Sequence, residues 1–109
     1  MVGVGEPEDD YLSVTMDPDG TVVVTGEVDL YSAPTLEAVV DGAVAGSAGN
    51  VVIDLAGVRF MDSAGLNILI RYFKPLDEQG RRLVLRSPQD TVRRTLELGG
   101  ITTLVVLES

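Results

Sequence analysis

The chain has 109 residues and 45% apolar content, enough for one domain with its own core and too apolar for general disorder. It holds no Cys and no His, which excludes a disulfide framework, a thiolate nucleophile, an imidazole base and Cys- or His-ligated metal. Its 17 acidic residues against 8 basic ones, a net charge of −9, oppose binding to nucleic acid or anionic membrane.

The charge is uneven. Residues 1–62 carry 12 acids and one base, Arg59, whereas residues 63–109 carry 5 acids and 7 bases. Residues 1–10 are rich in Gly and acid, are expected to be loose, and lack the apolar region of a signal peptide. No apolar run reaches the roughly 18 residues that span a bilayer, and a cytoplasmic monomer is the default expectation.

Tyr11–Met16 alternates apolar and polar side chains and predicts a strand; Asp17-Pro-Asp-Gly20 predicts a type I turn. The β-branched Thr21–Thr25 completes a hairpin, and Gly26–Tyr31 is read as leaving that second strand. Ser32 is a candidate cap for a helix carrying Pro34 in its first turn, with Leu36, Val39, Val40, Ala43 and Val44 at helical spacing. Val51–Leu55 reads as a buried, parallel strand. Phe60–Gly65 connects it to a helix with a Leu66, Leu69, Ile70, Phe73 stripe, which Pro75 is expected to kink or end.

Arg81–Leu85 reads as a strand, with Arg81, Arg82 and Arg86, like Arg93 and Arg94, on solvated faces. Ser87-Pro-Gln-Asp90 looks like a capped helix start, Val92 and Leu96 face inward, and Gly99-Gly100 stop the helix. Thr103–Leu107 is a last strand. The order ββαβαβαβ predicts a single α/β domain over 11–109, a mixed sheet with an N-terminal hairpin and helices packed on it.

Chemistry has few places to sit. Ser63, in Asp62-Ser63-Ala64-Gly65, stands at a helix start, either as a cap worth about 1 kcal/mol or as a phosphoacceptor. The positive end of the helix dipole favours a phosphate there, and small Ala64 and Gly65 leave room for a partner. Asp54, inside an apolar run, is a buried functional acid or a hydrogen-bonded acid near the strand's end. Glu27 and Asp29 are a carboxylate pair for acid–base or metal chemistry, a solvated loop, or a recognition element for a basic partner. No glycine-rich phosphate loop occurs.

Val23–Leu30, with its Gly-Glu-Val-Asp, and Val52–Leu66, ending Phe-Met-Asp-Ser-Ala-Gly-Leu, resemble the STAS domain of bacterial anti-sigma factor antagonists over residues 10–108. Leu96–Ile101 is similar to that family's Leu-x-x-x-Gly-Leu; Pro75 departs from its unbroken second helix. The resemblance implies a phosphoswitch, neither an enzyme nor a cofactor binder. The unphosphorylated antagonist binds an anti-sigma factor that is also a serine kinase of the histidine-kinase-like ATPase fold, and the sigma factor is released. Phosphorylation, here of Ser63, ends binding, and a PP2C-type phosphatase resets it. Asp62, Ala64 and Gly65 then contact the kinase, and Glu27, Asp29, Tyr31 and Ser32 line the adjoining surface. Members that do not switch act as scaffolds or as subunits of larger regulatory or transport complexes.

Overall fold

In the computed structural model, which describes residues 11–109, the β-branched runs near the start form the expected hairpin. β1 (Leu12–Met16) and β2 (Val22–Val28) pair antiparallel, with Val14 opposite Val24. The turn closes through the Gly20 N–H, which donates to the Asp17 carbonyl at 2.8 Å. The Thr21 N–H donates to the Asp19 carboxylate at 3.0 Å and holds that carboxyl below its usual range. The acidic segment 1–10 lies outside the described residues.

β2 does not stop at Thr25. The strand continues to Val28, with register shifts against its parallel neighbour between Val23 and Thr25 and between Gly26 and Glu27. The chain then runs through α1 (Ala33–Ala45), β3 (Val51–Met61), α2 (Ser63–Glu78), β4 (Leu83–Arg86), α3 (Asp90–Leu98), a 3₁₀ turn (Ile101–Thr103) and β5 (Val106–Glu108). The strands lie in the order β1-β2-β3-β4-β5, with every pair after the hairpin parallel. Right-handed crossovers between sequential parallel neighbours put their helices in one layer. Helix contacts agree: the Tyr72 hydroxyl of α2 donates to the Asp41 carboxylate of α1, and Leu66 of α2 packs where Gly99 ends α3. The core between the layers is built from Val22, Val24, Val28, Leu36, Val40, Ile53, Leu55, Leu69, Leu85, Val92, Leu96 and Ile101.

Several local expectations are corrected. β3 is 11 residues long and reaches Met61, carrying its carboxyl end to the start of α2. Pro75 does not end α2, which continues to Glu78. Pro75 lies on the exposed face of the helix, where the bond it cannot donate to the Arg71 carbonyl is lost at least cost, and buried Leu76 anchors the last turn. The buried stripe of α2 is Gly65, Ile68, Leu69, Tyr72 and Leu76; Ile70 is exposed. α3 starts at Asp90, because Ser87 adopts a left-handed φ of 56° and does not cap. The last strand begins at Val106, since Ile101–Thr103 wind into the 3₁₀ turn.

Arg81 is not on a solvated face. It is buried, its Nε donates to the Gly49 carbonyl at 2.7 Å, and its two terminal nitrogens reach Gln79 Oε1 at 2.8 Å and the Val44 carbonyl at 3.1 Å. One guanidinium thus satisfies a late carbonyl of α1 and a carbonyl of the loop before β3.

Candidate functional site

β2 and β3 end side by side. Glu27 stands opposite Phe60 and Val28 opposite Met61, and the Asp62 N–H donates to the Val28 carbonyl at 3.1 Å. β3 leads almost directly into α2 and β2 reaches α1 through the short loop 29–32, so the N-termini of α1 and α2 open on one edge of the sheet. In open α/β sheets this carboxyl edge is where recognition surfaces are built. Residues 34 positions apart in sequence, Asp29 and Ser63, are brought to it together.

At the start of α2 the roles differ from the expectation. Asp62 is the N-cap: its backbone is extended (φ −105°, ψ −167°) and its Oδ1 accepts the Ala64 N–H at 2.8 Å. Ser63 is the first helical residue and is exposed, and among the described residues its hydroxyl has no hydrogen-bond partner. The reading of Ser63 as the cap is therefore corrected. An extended residue one position earlier already carries the better-placed acceptor. Asp62→Ala is accordingly expected to lose about 1 kcal/mol in urea unfolding, and Ser63→Ala to stay within about 0.5 kcal/mol of the parent.

Gly65 serves the interior of the domain. It is buried, and a β-carbon there would meet Met61 Cγ and Val28 Cγ1, each at 2.7 Å. Its smallness lets α2 lie close on the ends of β2 and β3, which places the exposed Ser63 beside Ala64 at the edge.

The β2–α1 loop is held by a compact set of hydrogen bonds. The Asp29 carboxylate accepts the N–H groups of Tyr31 (2.9 Å) and Ser32 (3.1 Å). Ser32 Oγ accepts the Asp29 N–H at 2.9 Å and donates to the Glu27 carbonyl at 2.8 Å. Ser32 occupies the N-cap position of α1 but makes no side-chain cap bond, because its hydroxyl is spent on this loop. It is buried, so it supports the surface rather than lining it. Tyr31 does line it, at 92% exposure, and Leu30, which the sequence reading passed over, is 80% exposed. An apolar pair between a loop-capping Asp and a helix start was the available signal.

Glu27 does not pair with Asp29 for acid–base work. Its Oε2 lies 3.5 Å from Arg59 on β3, while Asp29 is committed to the loop. Asp54 is half-buried and accepts the Ala56 N–H at 2.9 Å, the hydrogen-bonded alternative of its two readings. Behind the edge, Arg71 of α2 pairs with Glu37 of α1, and the Tyr72 hydroxyl bonds Asp41. Burial, then that bond, pushes the Tyr72 phenol far above its ordinary value, so it remains a donor clamping α1 to α2.

The family model described as STAS domain matches residues 13–109. The chain belongs to the STAS domain family.

Among STAS relatives, the anti-sigma-B factor antagonist of Staphylococcus aureus is 29% identical over 93 residues, covering 85% of this chain and 86% of that protein. The anti-sigma-B factor antagonist of Listeria monocytogenes is 30% identical over 88 residues, 81% of this chain and 77% of its own. Of solved STAS structures, an anti-sigma factor antagonist from Mycobacterium paratuberculosis superposes with a TM-score of 0.67 at 37% identity, covering 90% of this chain and 84% of that one. Unphosphorylated SpoIIAA superposes with a TM-score of 0.69 at 21% identity, covering 91% and 89%, which shows the fold. The STAS architecture expected from the motifs is thus the one found. No described helix is long and apolar enough to cross a membrane.

Proposed function

We propose that this STAS domain is an anti-sigma factor antagonist acting in the cytoplasm. In this reading its unphosphorylated form binds an anti-sigma factor that is also a serine kinase, freeing the sigma factor. Phosphorylation of Ser63 ends the complex, and a PP2C-type phosphatase restores it. The chain contributes a surface; catalysis belongs to the partner.

The observation that carries this reading is the division of labour at α2. Because Asp62 caps the helix, Ser63 is exposed and its hydroxyl is uncommitted among the described residues. It can enter a kinase site without unpicking the fold. Phosphate adds about −1.5 to −2 charges, which the helix N-terminus tolerates but which a fitted, desolvated contact does not. A few kcal/mol suffices, since each 1.4 kcal/mol is about tenfold in Kd. The names of the curated relatives support the antagonist class.

The test uses the purified anti-sigma factor kinases of the source organism. With ATP, the wild-type chain is expected to gain one phosphate and Ser63→Ala none, read by intact-mass spectrometry. Ser63→Ala is expected to stay bound in the presence of ATP, while Ser63→Asp binds about 100-fold more weakly. Equal labelling of wild type and Ser63→Ala discards Ser63 as the acceptor.

A further inference from the structure

Resting on the antagonist reading above, we propose that Leu30 and Tyr31 are the apolar anchors of the interface. They would seat in a partner protein that presents an apolar socket ringed by basic side chains, and so determine which partner is taken.

Two large apolar side chains in water are ordinarily tolerated on loose loops. Here the loop is rigid. Six hydrogen bonds among Glu27, Asp29, Tyr31, Ser32 and Ala33 hold it, and the Ser32 side chain is buried to do so. Their result is that Leu30 and Tyr31 project at 80% and 92% exposure. Little ordering remains to be done on association, which is the condition under which aromatic and aliphatic side chains act as hot spots.

The anchors do not stand alone. Leu30 forms one wall of a shallow groove that continues over Ala33 and Pro34 of α1 to Ala64 and Ile68 of α2. Ala64 immediately follows Ser63, so the groove and the proposed acceptor are parts of one surface. The Arg71–Glu37 pair links the two walls at the groove's far side.

Charge selects the partner's chemistry. The edge carries Glu27, Asp29, Glu37 and Asp62 against Arg59 and Arg71, and both arginines are already paired, with Glu27 and Glu37. The unpaired side-chain charge is negative, from Asp29 and Asp62, which disfavours an anionic lipid surface or a second copy of this acidic chain and suits a basic rim.

The test takes the full chain and the kinase that phosphorylates Ser63. In the Leu30→Ala/Tyr31→Ala variant, Kd is expected to weaken about 100-fold, and the KM for phosphorylation to rise with it. Because both side chains are solvated, the melting temperature is expected to stay within about 2 °C. Raising salt from about 50 to 500 mM is expected to slow wild-type association at least fivefold. If the kinase labels Ser63 while the double variant binds within threefold of wild type, the anchors are overturned and the antagonist reading stands. Salt-independent association overturns the basic rim. Sedimentation showing a wild-type dimer that the double variant dissolves assigns the surface to copies of this chain, and overturns the proposal. If none of the organism's kinases binds the wild-type chain, the antagonist reading falls and the anchors fall with it.

Discussion

Gly26→Ala is expected to destabilise the domain by about 4 kcal/mol and lower its melting temperature by about 15 °C. Two effects add at this position. The backbone sits at φ +117°, where a side chain is strained whatever the space around it. A β-carbon would also fall 2.1 Å from the Tyr11 carbonyl oxygen and 3.1 Å from Leu12 Cα. Both are backbone atoms of the paired chain, so no rotamer change relieves the clash; β1 must move off β2. Gly20→Ala separates the two effects. Gly20 lies at φ +90° with nothing within 4 Å of its β-carbon position, so it carries conformational strain alone, about 1–2 kcal/mol. Thermal unfolding of both variants should show Gly26→Ala losing at least twice as much. Equal losses would remove the steric part of the argument. The consequence reaches the site, because the second of the two register shifts, directly after Gly26, completes the offset that sets Glu27 and Val28 level with Phe60 and Met61.

Arg81→Met is expected to cost about 3 kcal/mol, or about 12 °C in melting temperature. Met keeps the apolar stem and fills most of the volume, so the loss isolates the guanidinium. Without it the Val44 and Gly49 carbonyls, on a half-buried and an exposed residue, lose hydrogen bonds from a charged donor, which are worth about 1.5–3 kcal/mol each. Relief of the cation's own desolvation offsets part of that sum. Arg81→Lys is expected to recover about half, because an ammonium serves one carbonyl well but cannot reproduce the planar fork. Arg82→Met, one residue on and exposed, is expected to stay within about 0.5 kcal/mol. Chemical denaturation of the three variants checks the order; an Arg82→Met loss equal to that of Arg81→Met would refute the assignment.

The pair Arg81-Arg82 also shows where sequence reasoning stops. Nothing local distinguishes the two residues, and two adjacent arginines beginning a strand read as a solvated face. Which one turns inward depends on the loose carbonyls at the end of α1 and before β3, groups more than 30 residues away in sequence. Pro75 is a similar case. Its missing N–H is a local fact, but whether the helix continues depends on Leu76 being gripped by the core and on Pro75 lying on the exposed face.

The elements that were legible rest on short-range physics. β-branched runs, the Asp-Pro-Asp-Gly turn and the inward pair Val92 and Leu96 needed only pattern and propensity, and from them came the order ββαβαβαβ and a single mixed sheet. The motif around Ser63 pointed to the family, and the family model agrees over residues 13–109. Even there, the assignment of cap and acceptor turned on one position. Asp62 and Ser63 are both good capping residues by type, and only the backbone angles decide that Asp62 takes the role and leaves Ser63 free.

The sequence by itself thus determined the element order, the family, the acidic character of the first 62 residues and the exclusion of thiol and imidazole chemistry. These depend on composition and near-neighbour patterning, which need no knowledge of what packs against what. The tertiary structure alone decided that the ends of β2 and β3 lie level and that Gly65 and Ser32 serve the interior. It also decided that Arg59 answers Glu27, and that Leu30 and Tyr31 face solvent. The pairing of β2 with β3 is set by long-range register, where two shifts, between Val23 and Thr25 and between Gly26 and Glu27, change which side chains meet.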